Sequence, residues 1–355
     1  MSMSPLKPIT LKELAAILEL SQSTVSRIVN GAAAAHRIAR ETQERVLHAA
    51  ALYGYSANTV ARSLRQKRTY TIGVIIPEIS EGYSTGVLSG IEDELLKDGF
   101  FYFVVSHRHR PELLEGYPRM MLARSVEGII AVDTPLDQEL SVPLVSVSGH
   151  KRRQGVINIE LDHEKAAHLA LEHLQSLGHK RIAFIKGQAF SSDTIQRWQA
   201  IADVAKTLHI SVDPQLVIQL QDPEPGPGPG HEVTRKLLKT KRPFTAIFAF
   251  NDVTAIGAVL ALREAGLRVP RDVSVLGFDD VLIASTNNPP LTTIHQPLRA
   301  MGQAAATTLL GLIRDEIPHP HPSVITVYPK LVVRKSTSHV PEHAVPASAR
   351  AEVGL

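Results

Sequence analysis

The stretch SQSTVSRIVNG, residues 21–31, places short hydrogen-bonding side chains at the start of a helix-length segment. Ser21, Gln22, Ser23 and Thr24 lead, Ser26 and Arg27 follow, and Val25, Ile28 and Val29 supply apolar positions between them. Glutamine can make two hydrogen bonds to an adenine edge, and arginine can do the same to guanine. Short donors such as Ser21, Thr24, Ser26 and Asn30 suit phosphate oxygens, which position a protein on DNA without reading its sequence. An ordinary capped surface helix would carry similar side chains, so the neighbouring elements must decide.

Those neighbours are helical. TLKELAAIL opens at Thr10, a good N-cap, with Glu13 three residues on to complete a capping box. Leu11, Leu14, Ala15 and Leu18 share one face of it. Only Glu19, Leu20 and Ser21 separate it from the second helix, which Ser21 would cap and Asn30-Gly31 would stop. A third helix, RETQERVLHAAALYGY, should bury Val46, Ala50 and Tyr53 and end at Gly54. Two helices joined by about three residues, the second short, match helix-turn-helix spacing. Gln22 and Ser23 would then point outward, toward base edges, while Val25, Ile28 and Val29 pack inward.

Charge agrees. Residues 1–70 hold ten Lys/Arg against four acidic side chains, a net +6, so the remaining 285 residues sum to −3. A basic head on a mildly acidic body fits a polyanionic partner. The 355 residues contain no cysteine, which excludes disulfides, thiolate metal sites and cysteine nucleophiles. No apolar run reaches membrane-span length and the N-terminus lacks a signal-peptide core, so a cytoplasmic, nucleoid-associated protein without a membrane partner is expected.

From residue 71 the pattern changes. YTIGVIIP, FFYFVVS, VEGIIAV, PLVSVSG, GVINIEL, RIAFIKG, FTAIFAF and DVSVLGF read as strands that alternate with helical stretches. Near-continuous apolar strands alternating with helices imply parallel sheets covered on both faces. About ten such strands are too many for one unit, so two α/β halves are expected, with ligand held beyond the strands' carboxyl ends in the cleft between them. PEPGPGPG (223–230) reads as a surface connection, and the tail after about His339 as disordered.

Read together, ITLKELAAILELSQSTVSRIVNG and GYSANTVARSLR resemble the DNA-binding head of the lac repressor family. HLQSLGHKRIAFIKG, FNDVTAIGAVLALREAGLRVPRDVSVLGFDD and PPLTTIHQPLRAMGQAA resemble its effector-binding core. The similarity runs from about Ile9 to Ser336, with the motifs in family order. It implies an α/β fold: an all-α helix-turn-helix head followed by a two-lobed, parallel-sheet core like periplasmic sugar-binding proteins. The implied boundaries are 1–56 for the head, 57–70 for a hinge helix, 71–338 for the effector-binding and dimerisation core and 339–355 for the tail. The implied function is a transcriptional regulator, a repressor, whose operator affinity is set by a small effector between the lobes.

The resemblance gives Gln22 and Ser23 the leading base-reading positions and Arg27 a guanine edge or a phosphate. In the hinge, Asn58 can cap a short helix on which Val60, Ala61 and Leu64 form an apolar face. In the family two such helices pair over the minor groove, and the residue matching Leu64 wedges between base pairs, kinking the DNA. Arg62 and Arg65 would add salt dependence. In the core, Arg197 matches the arginine that grips effector, and its planar fork suits paired hydroxyls or a carboxylate. Asp279 matches an acidic acceptor of effector hydroxyls. Tyr83, Asp162, Asp193 and Asn251 are the other expected lining residues, with Asp252 beside Asn251.

Several positions depart from the family pattern. The link AAAAHRIARET is two or three residues longer than usual, and Ala39 stands where a small polar N-cap is expected. Ala200 replaces a glycine after the arginine, and EGY (81–83) replaces Asn-Pro-Phe. No specific effector is therefore carried over: a sugar or sugar derivative is expected, with a purine or other metabolite as the alternative. The expected partners are palindromic double-stranded operator DNA, the effector and a second copy of the chain, with no cofactor. An enzyme on the same scaffold would need a nucleotide-binding glycine loop or a nucleophile elbow, and neither motif occurs. The His107/His109 and His319/His321 pairs read as loop residues. A solute-binding protein without DNA function would lack the basic head.

Overall fold

A computed structural model describes residues 9–30, 33–55, 68–80, 82–317 and 321–340. The chain divides into two compact units, Met1–Thr69 and Tyr70–Leu355. The expected hinge residues Asn58, Val60, Ala61, Arg62, Leu64 and Arg65 lie outside the described residues, as do Gly31, Glu81, His319 and the tail from Pro341.

The first unit packs α1 (Leu11–Ile17), α2 (Gln22–Val29) and α3 (Arg40–Leu52) around Leu14, Val25 and Val46, all fully buried. Each such side chain contributes about 1.5–3 kcal/mol by leaving water. The capping box forms: the Thr10 N–H donates to Glu13 Oε2 at 2.7 Å, and the Glu13 N–H to Thr10 Oγ1 at 3.3 Å. Ser21 caps α2 by accepting from the Thr24 N–H at 3.1 Å. Ala39 makes no side-chain cap to α3.

The turn between α1 and α2 rests on Glu19, whose φ is +54°. Its N–H donates to the Ala16 carbonyl and that of Leu20 to the Ala15 carbonyl, closing a Schellman motif. A left-handed conformation costs a non-glycine residue roughly 1–2 kcal/mol, partly offset by glycine's greater unfolded-state freedom. Glu19→Gly should therefore stabilise this unit by a few tenths to about 1 kcal/mol. Helix melting monitored by circular dichroism checks it, and a lowered midpoint would show that Glu19 makes a compensating contact.

Tyr53 is 40% exposed rather than buried. Gly54, at φ +62°, turns the chain so that the Tyr55 N–H reaches the Ala50 carbonyl. Tyr55 then packs against the core in place of Tyr53.

The second unit holds two six-stranded sheets. The first orders its strands β11-β5-β4-β3-β1-β2, all parallel: β1 (Thr71–Ile76), β2 (Phe101–Ser106), β3 (Gly128–Val132), β4 (Leu144–Val147), β5 (Ile157–Leu161) and β11 (Val324–Val327). The second runs β12-β10-β9-β8-β6-β7: β6 (Ile182–Lys186), β7 (Val217–Gln219), β8 (Ala246–Ala249), β9 (Ser274–Asp279), β10 (Thr292–His295) and β12 (Lys330–Val332), the last antiparallel. The chain thus passes between sheets after β5, β10 and β11, and two lobes share three connections. Both faces of the first sheet are covered. Val74 and Ile76 join one apolar cluster and Ile75 the opposite one, which is why β1 is apolar without alternation.

Helices α4 (Gly82–Lys97) and α11 (Leu298–Ile313) cross closely on the first lobe. A Cβ on Gly90 would stand 1.9 Å from the Arg299 carbonyl oxygen, so only glycine permits that approach. The remaining helices are α5 (Pro111–Ala123), α6 (His163–Ser176), α7 (Ser192–Thr207), α8 (Gly228–Lys239), α9 (Asp252–Glu264) and α10 (Leu282–Thr286). Helix α8 begins at Gly228 inside PEPGPGPG; Pro229 and Gly230 are buried, and residues 223–228 are exposed. No described helix is long and apolar enough to cross a membrane.

Candidate functional site

On the first unit, α2 exposes Gln22, Ser23 and Arg27 while burying Val25 and Ile28. The Ser21 hydroxyl is 2.8 Å from those of both Ser23 and Thr24. Asn30 turns back on its own helix, its Nδ2 donating to the Ser26 carbonyl at 2.6 Å. The outward group is therefore Gln22, Ser23 and Arg27; Ser26 and Asn30 are engaged within the helix.

On the second unit, a cleft of 670 Å³ lies at the carboxyl ends of the central strands of both lobes. Tyr83, Asp193, Arg197, Asn251 and Asp279 all line it. Asp162 does not: it caps α6 by accepting from the Lys165 N–H at 2.8 Å and borders a separate recess.

Arg197 is the centre of the polar lining. It is 4% exposed, on the second turn of α7, with its guanidinium between two rings, 3.7 Å from the Phe278 centroid and 4.5 Å from that of Phe250. Nη1 donates to the Phe250 carbonyl at 2.5 Å and Nη2 to Asp193 Oδ2 at 2.9 Å. Nε is buried with no hydrogen-bond partner among the described residues. Asp193 also accepts from His150 Nε2 at 2.5 Å. Burial alone would raise the Asp193 pKa, but the hydrogen bond from His150 and the nearby His163 and Arg197 hold it well below the usual carboxylate range.

Asp279 ends β9 with φ at +102°, a conformation that costs about 1–3 kcal/mol for a side chain with a Cβ. Gln296 holds it there, its N–H donating to the Asp279 carbonyl at 3.2 Å and its Nε2 to Oδ1 at 2.6 Å. Burial pushes the carboxyl well above its ordinary pKa. Opposite, Asp133 follows β3 and accepts from Ser191 at 3.1 Å and Ser192 at 2.9 Å. Burial and the Asp193 charge raise Asp133 to about 7. Tyr83 presents its ring to the cleft while its hydroxyl donates to Ser148 Oγ at 2.8 Å. Asn251 caps α9 through the Thr254 N–H at 2.8 Å and also faces the cleft.

Asp133, Gln188, Phe190 and Phe250 are lining residues that the sequence reading missed. Asp133 had a signal: it is the first polar side chain after the apolar run GIIAV, at a carboxyl strand end. Phe190 had none, because its place depends on stacking with His109 across the cleft, 3.8 Å between ring centroids. His107 is buried against Thr134 Oγ1 at 3.1 Å.

Asp252 sits behind the site, fully buried, accepting from Thr293 Oγ1 at 2.6 Å and the Val281 N–H at 2.9 Å. Burial outweighs these bonds and raises its pKa from 3.8 to about 7. The folded state then binds more protons than the unfolded state between those values, so this group's stabilisation is complete below pH 3.8 and lost as pH rises through about 7. Asp252→Asn should flatten that fall: relative to the parent, its melting temperature should rise with pH across the window. Parallel curves from scanning calorimetry would contradict it.

A family model described as a periplasmic binding protein-like domain matches residues 171–337. The HTH-type transcriptional repressor PurR of Haemophilus influenzae is 31% identical over 344 residues, covering 93% of this chain and 99% of that protein. Among solved structures, the lac repressor dimer bound to operator and the anti-inducer ONPF superposes with a TM-score of 0.81 at 29% identity, over 94% of this chain and 100% of that one. The transcriptional regulator CelR in complex with cellobiose gives a TM-score of 0.69 at 27% identity, over 92% and 99%.

Proposed function

The chain belongs to the lac repressor family of transcriptional regulators, and from that premise we propose that its cleft binds a neutral, polyhydroxylated effector that sets operator affinity. The protein is a transcriptional repressor under effector control rather than an enzyme.

The observation that carries the choice of effector is the state of Arg197. Two arms of its fork are spent on Asp193 and the Phe250 carbonyl. An anionic ligand would find this cation already paired with Asp193, and Asp133 and Asp279 bring no positive charge to hold it. Hydroxyls suit the same surface, because each can donate to a carboxylate and accept from Arg197, Asn251 or Gln188. Tyr83 and Phe190 offer ring faces to the apolar side of a sugar. The cellobiose complex of CelR supports this choice.

On the DNA side, Gln22, Ser23 and Arg27 read base edges in the major groove, and Ser21 and Thr24 reach phosphates. Ser26 and Asn30 support that helix. Asn58, Ala61 and Leu64, outside the described residues, are assigned to a hinge helix with Leu64 as its minor-groove wedge. The proposed boundaries are 1–56 for the head and 57–70 for the hinge, and the core runs from 71 to Val340 rather than ending at 338, because the Val340 N–H donates to the Leu177 carbonyl at 3.0 Å. The protein acts in the cytoplasm as a homodimer on a palindromic site, in keeping with the operator-bound lac repressor dimer.

Thermal-shift and calorimetric titration against neutral mono- and disaccharides, sugar acids and purines tests the effector class. A neutral sugar should raise the melting temperature and change operator affinity. Stabilisation by sugar acids or purines alone would overturn the choice.

A further inference from the structure

His163, at the start of α6, is 9% exposed, and neither ring nitrogen has a hydrogen-bond partner among the described residues. Buried polar groups in native proteins are almost always satisfied, so an imidazole whose only polar contact is a long one to a carboxylate has room for a ligand between the two. Its Nε2 lies 3.4 Å from Asp193 Oδ1, and His150 Nε2 lies 2.5 Å from the same oxygen. One ligand atom from each of the three residues falls within 4.8 Å of the others.

We propose that His150, His163 and Asp193 form a divalent transition-metal site, with zinc the best fit, that ties the two lobes together. Two imidazoles and a carboxylate are a borderline donor set that suits zinc, cobalt or nickel rather than calcium or magnesium. Bonds of about 2.0–2.1 Å in a tetrahedron separate donor atoms by about 3.3 Å. The His163–Asp193 spacing already meets that. The His150–Asp193 pair must open by about 0.8 Å, replacing its hydrogen bond with two bonds to the ion.

The surroundings fit a metal-binding histidine. His150 Nδ1 faces Glu160 Oε2 at 3.8 Å, and Glu160 is itself held by Arg152 at 2.7 and 3.1 Å. A carboxylate behind the far ring nitrogen orients the near one toward a metal. His150, Glu160 and His163 line a recess of 580 Å³ that also carries His168 and Asp203, giving an ion a polar entrance and room for a water as fourth ligand. That recess is separate from the effector cleft. Asp193 stands between the two, with Oδ1 toward His150 and Oδ2 on Arg197.

His150 comes from the loop after β4 in the first lobe, whereas His163 and Asp193 start helices of the second. An ion held by all three favours the closed cleft, and by linkage an effector that closes the cleft strengthens ion binding by the same factor. This holds whatever the effector is.

The test is titration of chelator-treated, full-length protein with cobalt(II) alone, followed by zinc. The expected result is a visible absorption band of tetrahedral cobalt saturating at one ion per chain, bleached by zinc, with a melting temperature raised by several degrees. His163→Gln should weaken cobalt binding at least about tenfold while keeping the circular dichroism and operator binding of the parent. His150→Gln, which leaves the second-lobe ligands in place, should keep weak binding but lose the rise in melting temperature. No band, or equal binding by parent and both variants as surface histidines would give, overturns the site.

Discussion

Arg197→Lys should leave operator binding intact and lower effector affinity on the order of 10- to 150-fold, the loss of one charge-assisted hydrogen bond at about 1.5–3 kcal/mol. Arg197 holds Asp193 with one arm and the Phe250 carbonyl with the other, its plane gripped by Phe250 and Phe278. Lysine keeps a cation for Asp193 but offers a point donor instead of a fork and cannot stack as a plane. Arg197→Ala is the harsher change. It leaves the buried Asp193 carboxylate short of a partner, at a cost of about 3–5 kcal/mol, and abolishes the effector response. Operator titrations with and without effector, alongside a thermal melt, separate lost response from lost fold. A normal effector titration by the lysine variant would remove Arg197 from the ligand contacts.

The second large effect belongs to Gln22. It is exposed at the first position of α2, while Val25 and Ile28 fix the helix to its neighbours. Gln22→Ala should cost about 1–3 kcal/mol of discrimination at one base pair of each half-site, roughly 5- to 150-fold. It should leave the salt slope unchanged, because an amide neutralises no phosphate. Selected sites from the variant should differ from the parent's at that base alone. An identical motif would show that Gln22 is not a reader.

The local parts of this fold were legible because they rest on short-range chemistry. Thr10 and Glu13 sit at the spacing that satisfies two free helix N–H groups, and Ser21 caps α2 for the same reason. The apolar runs of β1, β3 and β9 report burial on both faces. Strands β7, β10, β11 and β12 escaped, since three or four residues carry no usable period and pairing with β6, β9, β5 and β10 decides them. Tyr53 misled because helical period alone cannot see that Gly54 returns Tyr55 to the core instead.

The cleft was half legible. Arg197 and Asp279 could be placed from motifs, whereas Asp133 and Phe190 meet the others only through long-range packing. Asp162 shows the opposite case, a carboxylate after a strand whose work is to cap the next helix.

The most direct measurement is selection of random duplex DNA by the purified full-length protein, with sequencing, a salt titration and repetition in the presence of neutral sugars. An effector-controlled dimeric repressor should select a palindrome with a central pyrimidine–purine step and should change its affinity for that site when its sugar is added. Salt-sensitive binding with no selected motif, with or without sugars, sugar acids and purines, would contradict it.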